Sequence, residues 1–312
     1  MTINNGIWPT MLTPFRDGAI DYSAVSKMTE WYLENGVDGL FAVCQSSEMF
    51  YLSLDERIEL ASFVQKEAAG RVQVIASGHI SDSTEDQIEE IKRIADTGIS
   101  AFVLVSNRLA KTEESDDVAK RNIEMILNRT RGITFGLYEC PYPYKRLLTP
   151  ALLKWCADTG RFAFLKDTCC DVDILRKKLD AVKGTGLKIF NANSATLLES
   201  LHMGGAGFCG VMANIHPRLY VYLYESWQKE PEKARFLQNF LTMGSWIERQ
   251  FYPVNAKYHM NLAGVPMSLE SRCADSKNFS PLFKSEVEQL YRLSEYVLQK
   301  LGQKMPEKEK LA

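Results

Sequence analysis

The sequence predicts an α/β protein built as a closed (β/α)8 TIM barrel with a C-terminal three-helix extension. Three observations carry that prediction. Eight short apolar runs fall within about the first 225 residues. Most are continuous rather than alternating, as in parallel strands buried on both faces. Amphipathic segments with helix start and stop signals separate them, which is the βα unit repeated.

The strand runs are "GIWPTML" (6–12), "DGLFAV" (38–43), "VQVIA" (72–76), "AFVLV" (101–105), "ITFGLY" (133–138), "FAFLK" (162–166), "LKIF" (187–190) and "GFCGV" (207–211). Between them, Asp21 opens "YSAVSKMTEWYLEN" and Gly36 closes it. Ser53 with Glu56 three residues on is a capping box for "LDERIELASFVQKEA". Ser83 opens "TEDQIEEIKRIAD", where Ile88, Ile91 and Ala95 share one face and Gly98 stands past the end. An open doubly wound sheet is the weaker alternative. It wants a nucleotide-type glycine loop after the first strand, and "TMLTPFRDG" (10–18) is not one. After "HPRLYVYLYESWQ" (216–228) no strand run follows, and three helical segments fill the remainder. The expected division is a catalytic barrel over 1–225 and a helical extension over 226–312. The charged tail "QKMPEKEKLA" (303–312) is expected to fray.

Composition excludes several function classes. With 37 basic and 39 acidic residues the net charge is -2, which gives no electrostatic case for nucleic acid or an anionic membrane. No apolar run approaches the roughly 20 residues that span a bilayer. The start lacks the charged-then-apolar order of a secretory leader, so a cytoplasmic protein is expected. Seven scattered cysteines without a C-x-x-C pair are no disulfide framework. None of the four histidines has metal-ligand spacing to an acidic residue or cysteine, so no metal is expected.

In such a barrel the C-terminal strand ends face the active site. The sixth run ends in Lys166, an odd finish for an apolar stretch. A lysine amine inside a barrel mouth is partly desolvated, which favours its neutral, nucleophilic form. It can then attack a ketone to form an imine that serves as an electron sink. The alternative is a strand-end lysine that pairs with Asp167 beside it. Tyr138 ends the fifth run as Lys166 ends the sixth, so its phenol is within reach to move a proton. In "CQSSE" (44–48), Ser46 and Ser47 with the backbone N–H groups of the turn can cradle a small carboxylate.

This constellation resembles the dihydrodipicolinate synthase/N-acetylneuraminate lyase superfamily of pyruvate-dependent class I aldolases, nearly end to end. The resemblance rests on "LTPF" (12–15), "CQSSEMFYLSLDER" (44–57), "GLYECP" (136–141), "FLKDTCC" (164–170) and the glycine-rich "LHMGGAGFCGVMAN" (201–214). It implies that Lys166 is the Schiff-base lysine and Tyr138 the proton shuttle. It implies that Ser46 and Ser47 bind the pyruvyl carboxylate, and it places Gln45, Asn191 and Cys209 with the substrate-binding group. No cofactor is implied, since the lysine supplies the electron sink. The partners implied are a 2-oxo acid such as pyruvate and further copies of the chain, as a dimer or tetramer.

The departures define the function further. Gln45 stands where the synthase has a proton-relaying threonine, and an amide relays protons poorly. Leu109 replaces a second tyrosine, and Pro143 falls where the synthase holds its aldehyde substrate with an arginine. Arg108, Lys145 and Arg146 are the candidates to replace that arginine. Asn191 and Asn193 suit the hydroxyls of a sugar-acid substrate, or else an Asx-turn. The expectation is a lyase or aldolase acting on a 2-oxo acid, other than dihydrodipicolinate synthase itself. The alternatives are a sugar-acid dehydratase using the same imine, and a degenerate barrel that binds a 2-oxo acid without turnover.

Overall fold

The computed structural model describes residues 2–303; the charged tail expected to fray lies almost wholly outside them. The strands are β1 (Gly6–Ile7), β2 (Phe15–Arg16), β3 (Ala19–Ile20), β4 (Gly39–Val43), β5 (Gln73–Ala76), β6 (Ala101–Val105), β7 (Phe135–Tyr138), β8 (Phe162–Asp167), β9 (Lys188–Asn191) and β10 (Gly207–Phe208). Eight of them form one sheet in the order β1-β10-β9-β8-β7-β6-β5-β4, parallel at each pairing. β2 and β3 form a small antiparallel hairpin that the alternation of runs did not signal.

The first and last barrel strands are shorter than their apolar runs. Pro9 has no N–H to give to a ladder, so regular pairing of β1 stops before it. Single bonds close the barrel instead: Asp38 N–H to Ile7 O at 2.9 Å, Phe41 N–H to Pro9 O at 3.0 Å and Met11 N–H to Phe41 O at 3.0 Å. At the other edge of β1, the backbones nearly touch. A Cβ on Gly207 would lie 1.9 Å from Gly6 O, so only glycine fits there. That close approach accounts for one glycine of the 201–214 motif. Trp8, Phe164 and Phe190 fill the barrel interior, with Phe164 and Phe190 stacked at 4.6 Å.

The helices are α1 (Tyr22–Glu34), α2 (Leu54–Ala68), α3 (Thr84–Ala95), the short α4 (Ser106–Leu109), α5 (Asp116–Arg129), α6 (Pro150–Asp158), α7 (Val172–Val182), α8 (Leu197–His202), α9 (Pro217–Ser226), α10 (Pro231–Gly244), α11 (Val254–Leu262) and α12 (Pro281–Lys300). The capping signals hold. Ser53 Oγ accepts from Glu56 N–H at 3.2 Å while Glu56 accepts from Ser53 N–H at 2.8 Å. Asp21 and Ser83 cap α1 and α3 in the same way. No helix among the described residues is long and apolar enough to cross a membrane.

Helices α10 to α12 form the C-terminal extension. Two buried histidines lie where it meets the barrel. His216, just before α9, faces His259 on α11 with ring centroids 5.9 Å apart. Burial pushes the His259 imidazole down to about 3 and holds His216 well below its ordinary 6.5. Both are therefore neutral in the folded chain. The unfolded chain takes up more protons below pH 6.5, so this contribution to stability is full above that pH and is lost as pH falls. Urea midpoints should drop between pH 6.5 and 5, at up to about 1.4 kcal/mol per pH unit for each imidazole. His259→Gln should flatten the slope by about a third, because burial also lowers His79, to about 4, and its imidazole joins the uptake. An unchanged slope would show that the pair titrates alike in both states.

Candidate active site

The ends of β7 and β8 lie in register, with Tyr138 opposite Lys166. Side chains alternate along a strand, so residues 138 and 166 point into the barrel while 139 and 167 point outward. Lys166 is buried, and its Nζ sits 4.4 Å from the centroid of the Tyr138 ring. Among the described residues no carboxylate pairs with it. The alternative of a Lys166–Asp167 pair is therefore overturned. Asp167 instead accepts from Lys178 Nζ on α7 at 2.6 Å, and Glu139 accepts from the same ammonium. Glu139 also takes the N–H groups of Leu148 at 2.7 Å and Thr168 at 3.0 Å. This ion triad is wholly buried behind the two strand ends. Burial works to lower the Lys178 ammonium, and the two carboxylates more than offset it.

Tyr138 donates its hydroxyl to Gln45 Oε1 at 3.3 Å, and the Cys140 thiol donates to the same oxygen at 3.3 Å. Burial, then the neighbouring Cys140, holds the phenol well above its ordinary value. Ser46 is buried beside them and donates to Thr10 Oγ1 at 3.1 Å. The N–H groups of Gln45 and Ser46 donate to no other group among the described residues.

Ser47 departs from expectation. Its hydroxyl turns away to the carbonyls of Met11 and Ala42, both at 2.8 Å, and accepts from Cys44 N–H at 3.1 Å. It builds the turn and does not line the cavity, because its oxygen is already spent on backbone groups. Glu48 then takes the left-handed φ of 60° that a glycine adopts freely. Its carboxylate is held by Lys257 Nζ at 3.0 Å, Ser271 Oγ at 2.9 Å and the N–H groups of Arg272 at 2.6 Å and Cys273 at 3.0 Å. Sequence reasoning passed over Glu48, although a lone acid in a serine turn was a signal to find it.

Other expected residues also lie elsewhere. Asn191 closes an Asx-turn, accepting from Asn193 N–H at 2.8 Å and donating to Thr196 Oγ1 at 2.9 Å. Its amide is thus occupied, while Asn193 reaches the cavity wall. Cys209 is buried below the cavity, and burial pushes its thiol up to about 12. Leu109 is buried. The candidate replacement cations are committed elsewhere: Arg108 to Asp82 at 3.2 Å, Lys145 to Thr168 O at 2.8 Å, and Arg146 to Glu114 O at 2.9 Å and Asp116 at 3.1 Å.

Lys166, Tyr138, Gln45 and Ser46 meet in one cavity of about 490 Å³ at the C-terminal mouth of the barrel. Beyond them its walls are aromatic, with Phe50, Tyr142 and Tyr252. Glu248 and Arg249 also line it, from a turn (Ser245–Arg249) at the end of α10. Sequence reasoning missed both. They lie in a helical segment about 80 residues after Lys166, where no pattern ties them to the barrel mouth.

The fold and the contents of this mouth define an enzyme of the pyruvate-dependent class I aldolase and lyase kind. The model of the Dihydrodipicolinate synthetase family matches residues 4–286, so the chain belongs to that family. It is 26% identical over 254 residues to the 4-hydroxy-tetrahydrodipicolinate synthase of Clostridium perfringens, covering 81% of this chain and 86% of that one. The corresponding enzyme of Methanococcus maripaludis is 25% identical over 264 residues, covering 84% and 89%. Among solved structures, the E. coli prophage protein YagE, of the dihydrodipicolinic acid synthase family and in complex with pyruvate, superposes with a TM-score of 0.81 at 25% identity, over 96% of this chain and 98% of that one. The 4-hydroxy-tetrahydrodipicolinate synthase of Methylacidiphilum fumariolicum gives 0.84 at 23%, also over 96% and 98%.

The buried triad makes a direct prediction. Lys178→Met leaves Glu139 and Asp167 buried without a counter-charge, which costs about 3–5 kcal/mol. Calorimetry should show a large fall in Tm, with much of it recovered when Glu139→Gln and Asp167→Asn are added. A Lys178→Met chain as stable as wild type would show that the two carboxyls are already neutral.

Proposed function

We propose that this chain is a Schiff-base-forming lyase in which pyruvate is one component of an aldol cleavage or condensation. The observation that carries the proposal is the Lys166 amine, buried in the cavity without a carboxylate partner among the described residues and set against the Tyr138 ring. A deprotonated lysine there attacks C2 of the 2-oxo acid. The carbinolamine hydroxyl leaves as water once Tyr138 supplies a proton, and the iminium drains electrons from the C3–C4 bond. Burial keeps that phenol protonated, so the proton is present to be given. Ser46 Oγ and the N–H groups of Gln45 and Ser46 form a cradle for the C1 carboxylate. Ser47 takes no part, since its hydroxyl is occupied.

Borohydride with pyruvate should add a pyruvyl mass at Lys166. Lys166→Ala should lose both the adduct and turnover, and Tyr138→Phe should slow turnover by roughly 10²–10⁴-fold. An adduct mapping to another lysine would sink the assignment.

The second substrate is proposed to be a neutral aldehyde rather than aspartate semialdehyde. Pro143 cannot donate a hydrogen bond, Arg108 is paired with Asp82, Lys145 donates to Thr168 O, and Arg146 is held by Glu114 O and Asp116. The aromatic walls suit an apolar or flat neutral group. Losing a charge-assisted partner for a carboxylate costs a few kcal/mol, or about hundredfold in affinity. Comparing kcat/KM for pyruvate with aspartate semialdehyde against neutral aldehydes should favour the latter. Saturable synthesis with the semialdehyde, abolished by Arg249→Ala, would instead give the anchoring role to the guanidinium at the cavity rim.

A further inference from the structure

The imine machinery accounts for one end of the cavity. A 4-hydroxy-2-oxo acid also presents a C4 hydroxyl whose proton must leave when the C3–C4 bond breaks. The barrel offers little for that step. Tyr138 is bonded to Gln45, which relays protons poorly, and Ser46 is bonded to Thr10.

We infer that Glu248 is the general acid–base residue for the C–C bond step, acting on the C4 hydroxyl. The inference rests on the imine reading of Lys166. Four observations support it. Glu248 lines the same cavity as Lys166 and Tyr138, though it comes from the C-terminal extension. Its carboxylate makes no hydrogen bond or ion pair among the described residues. Its backbone is held in place, since Asn255 Nδ2 donates to Ile247 O at 2.7 Å and Gln250 N–H to the same carbonyl at 3.0 Å. Burial also lifts its carboxyl above the ordinary range, with Arg249 and Lys166 pulling back. The other groups that interact with it are Tyr220 and Tyr252.

In cleavage, the Glu248 carboxylate takes the C4 hydroxyl proton. The O–H bonding pair becomes the second C4–O bond of the aldehyde, the C3–C4 bond breaks, and its electron pair enters the iminium to give the enamine. Protonation at C3 and addition of water to the iminium then release pyruvate and restore the Lys166 amine. The proton at Glu248 returns through solvent, and condensation runs the same steps backwards.

The test compares wild type with Glu248→Gln in three readouts: borohydride trapping with pyruvate, deuterium exchange into the pyruvate methyl group, and turnover of neutral aldehydes with pyruvate together with 2-oxo-3-deoxy acids. Trapping and exchange should stay within about threefold, while turnover falls by roughly 10²–10⁴-fold and the pH profile of cleavage loses its low-pH limb. Turnover within about threefold of wild type, or loss of trapping together with turnover, overturns the role given to Glu248. Wild type that is trapped at Lys166 but turns over no member of the panel also overturns it, in favour of a binding barrel. Wild type that is not trapped at Lys166 overturns the imine reading itself, a different result.

Discussion

The candidate site depends on a parity constraint at two strand ends. β7 ends in Tyr138 followed by Glu139, and β8 ends in Lys166 followed by Asp167. Each pair sends one side chain into the barrel and the other out. A slip of one residue in either strand would bury a carboxylate at the mouth and turn the tyrosine or lysine out. Lys178 opposes that slip, since its ammonium binds both outward carboxylates at once. Glu139 adds bonds to Leu148 and Thr168, so the loops after both strands hang from the same triad. Such a triad adds little net stability, because desolvating three charges offsets most of their attraction. Its consequence is geometric: the phenol and the amine stay opposite each other.

Glu48 does for the mouth what Lys178 does for the wall. It leaves the turn after β4 in a left-handed conformation and reaches Lys257 on α11 and the backbone of Arg272 and Cys273. A buried carboxylate with four donors is well compensated, and the local backbone cost of about 1–2 kcal/mol is small beside them. The bond network joins the turn after β4 to the extension that carries Glu248 and Arg249. The extension is thereby part of the cavity wall rather than an appendage to the barrel.

Much of this was legible in the sequence, for identifiable reasons. Buried parallel strands are apolar on both faces, so eight runs mark a barrel without any knowledge of contacts. Lys166 and Tyr138 stood out because a polar residue ending such a run has only the mouth to enter. The ends of the first and eighth runs were overextended, because Pro9 and the close approach of Gly6 and Gly207 limit regular pairing there. Ser47 and Asn191 were misplaced for a shared reason. A small polar side chain serves backbone groups as readily as a ligand, and sequence does not show which partner is nearer. Ser47 finds Met11 O, 36 residues away. Glu248 had no signal at all, since its position is set by how the extension folds back over the mouth.

The cavity thus divides along the chain. Its inner end is built by strand termini and the turn after β4, mostly buried, with little freedom to move. Its outer end is built by less buried pieces: Phe50, Tyr142 and the turn over Ser245–Arg249. In the proposed chemistry the inner end performs what every 2-oxo acid needs, imine formation and carboxylate binding. The outer end meets whatever lies beyond C3. A substitution among the outer residues then changes the second substrate at small cost in stability, because it disturbs few packed neighbours. Lys178 and Glu48 stand behind the inner end, so a substitution at either is a fault of folding as well as of chemistry. The outer residues are less buried, and the proposed selectivity rests on them.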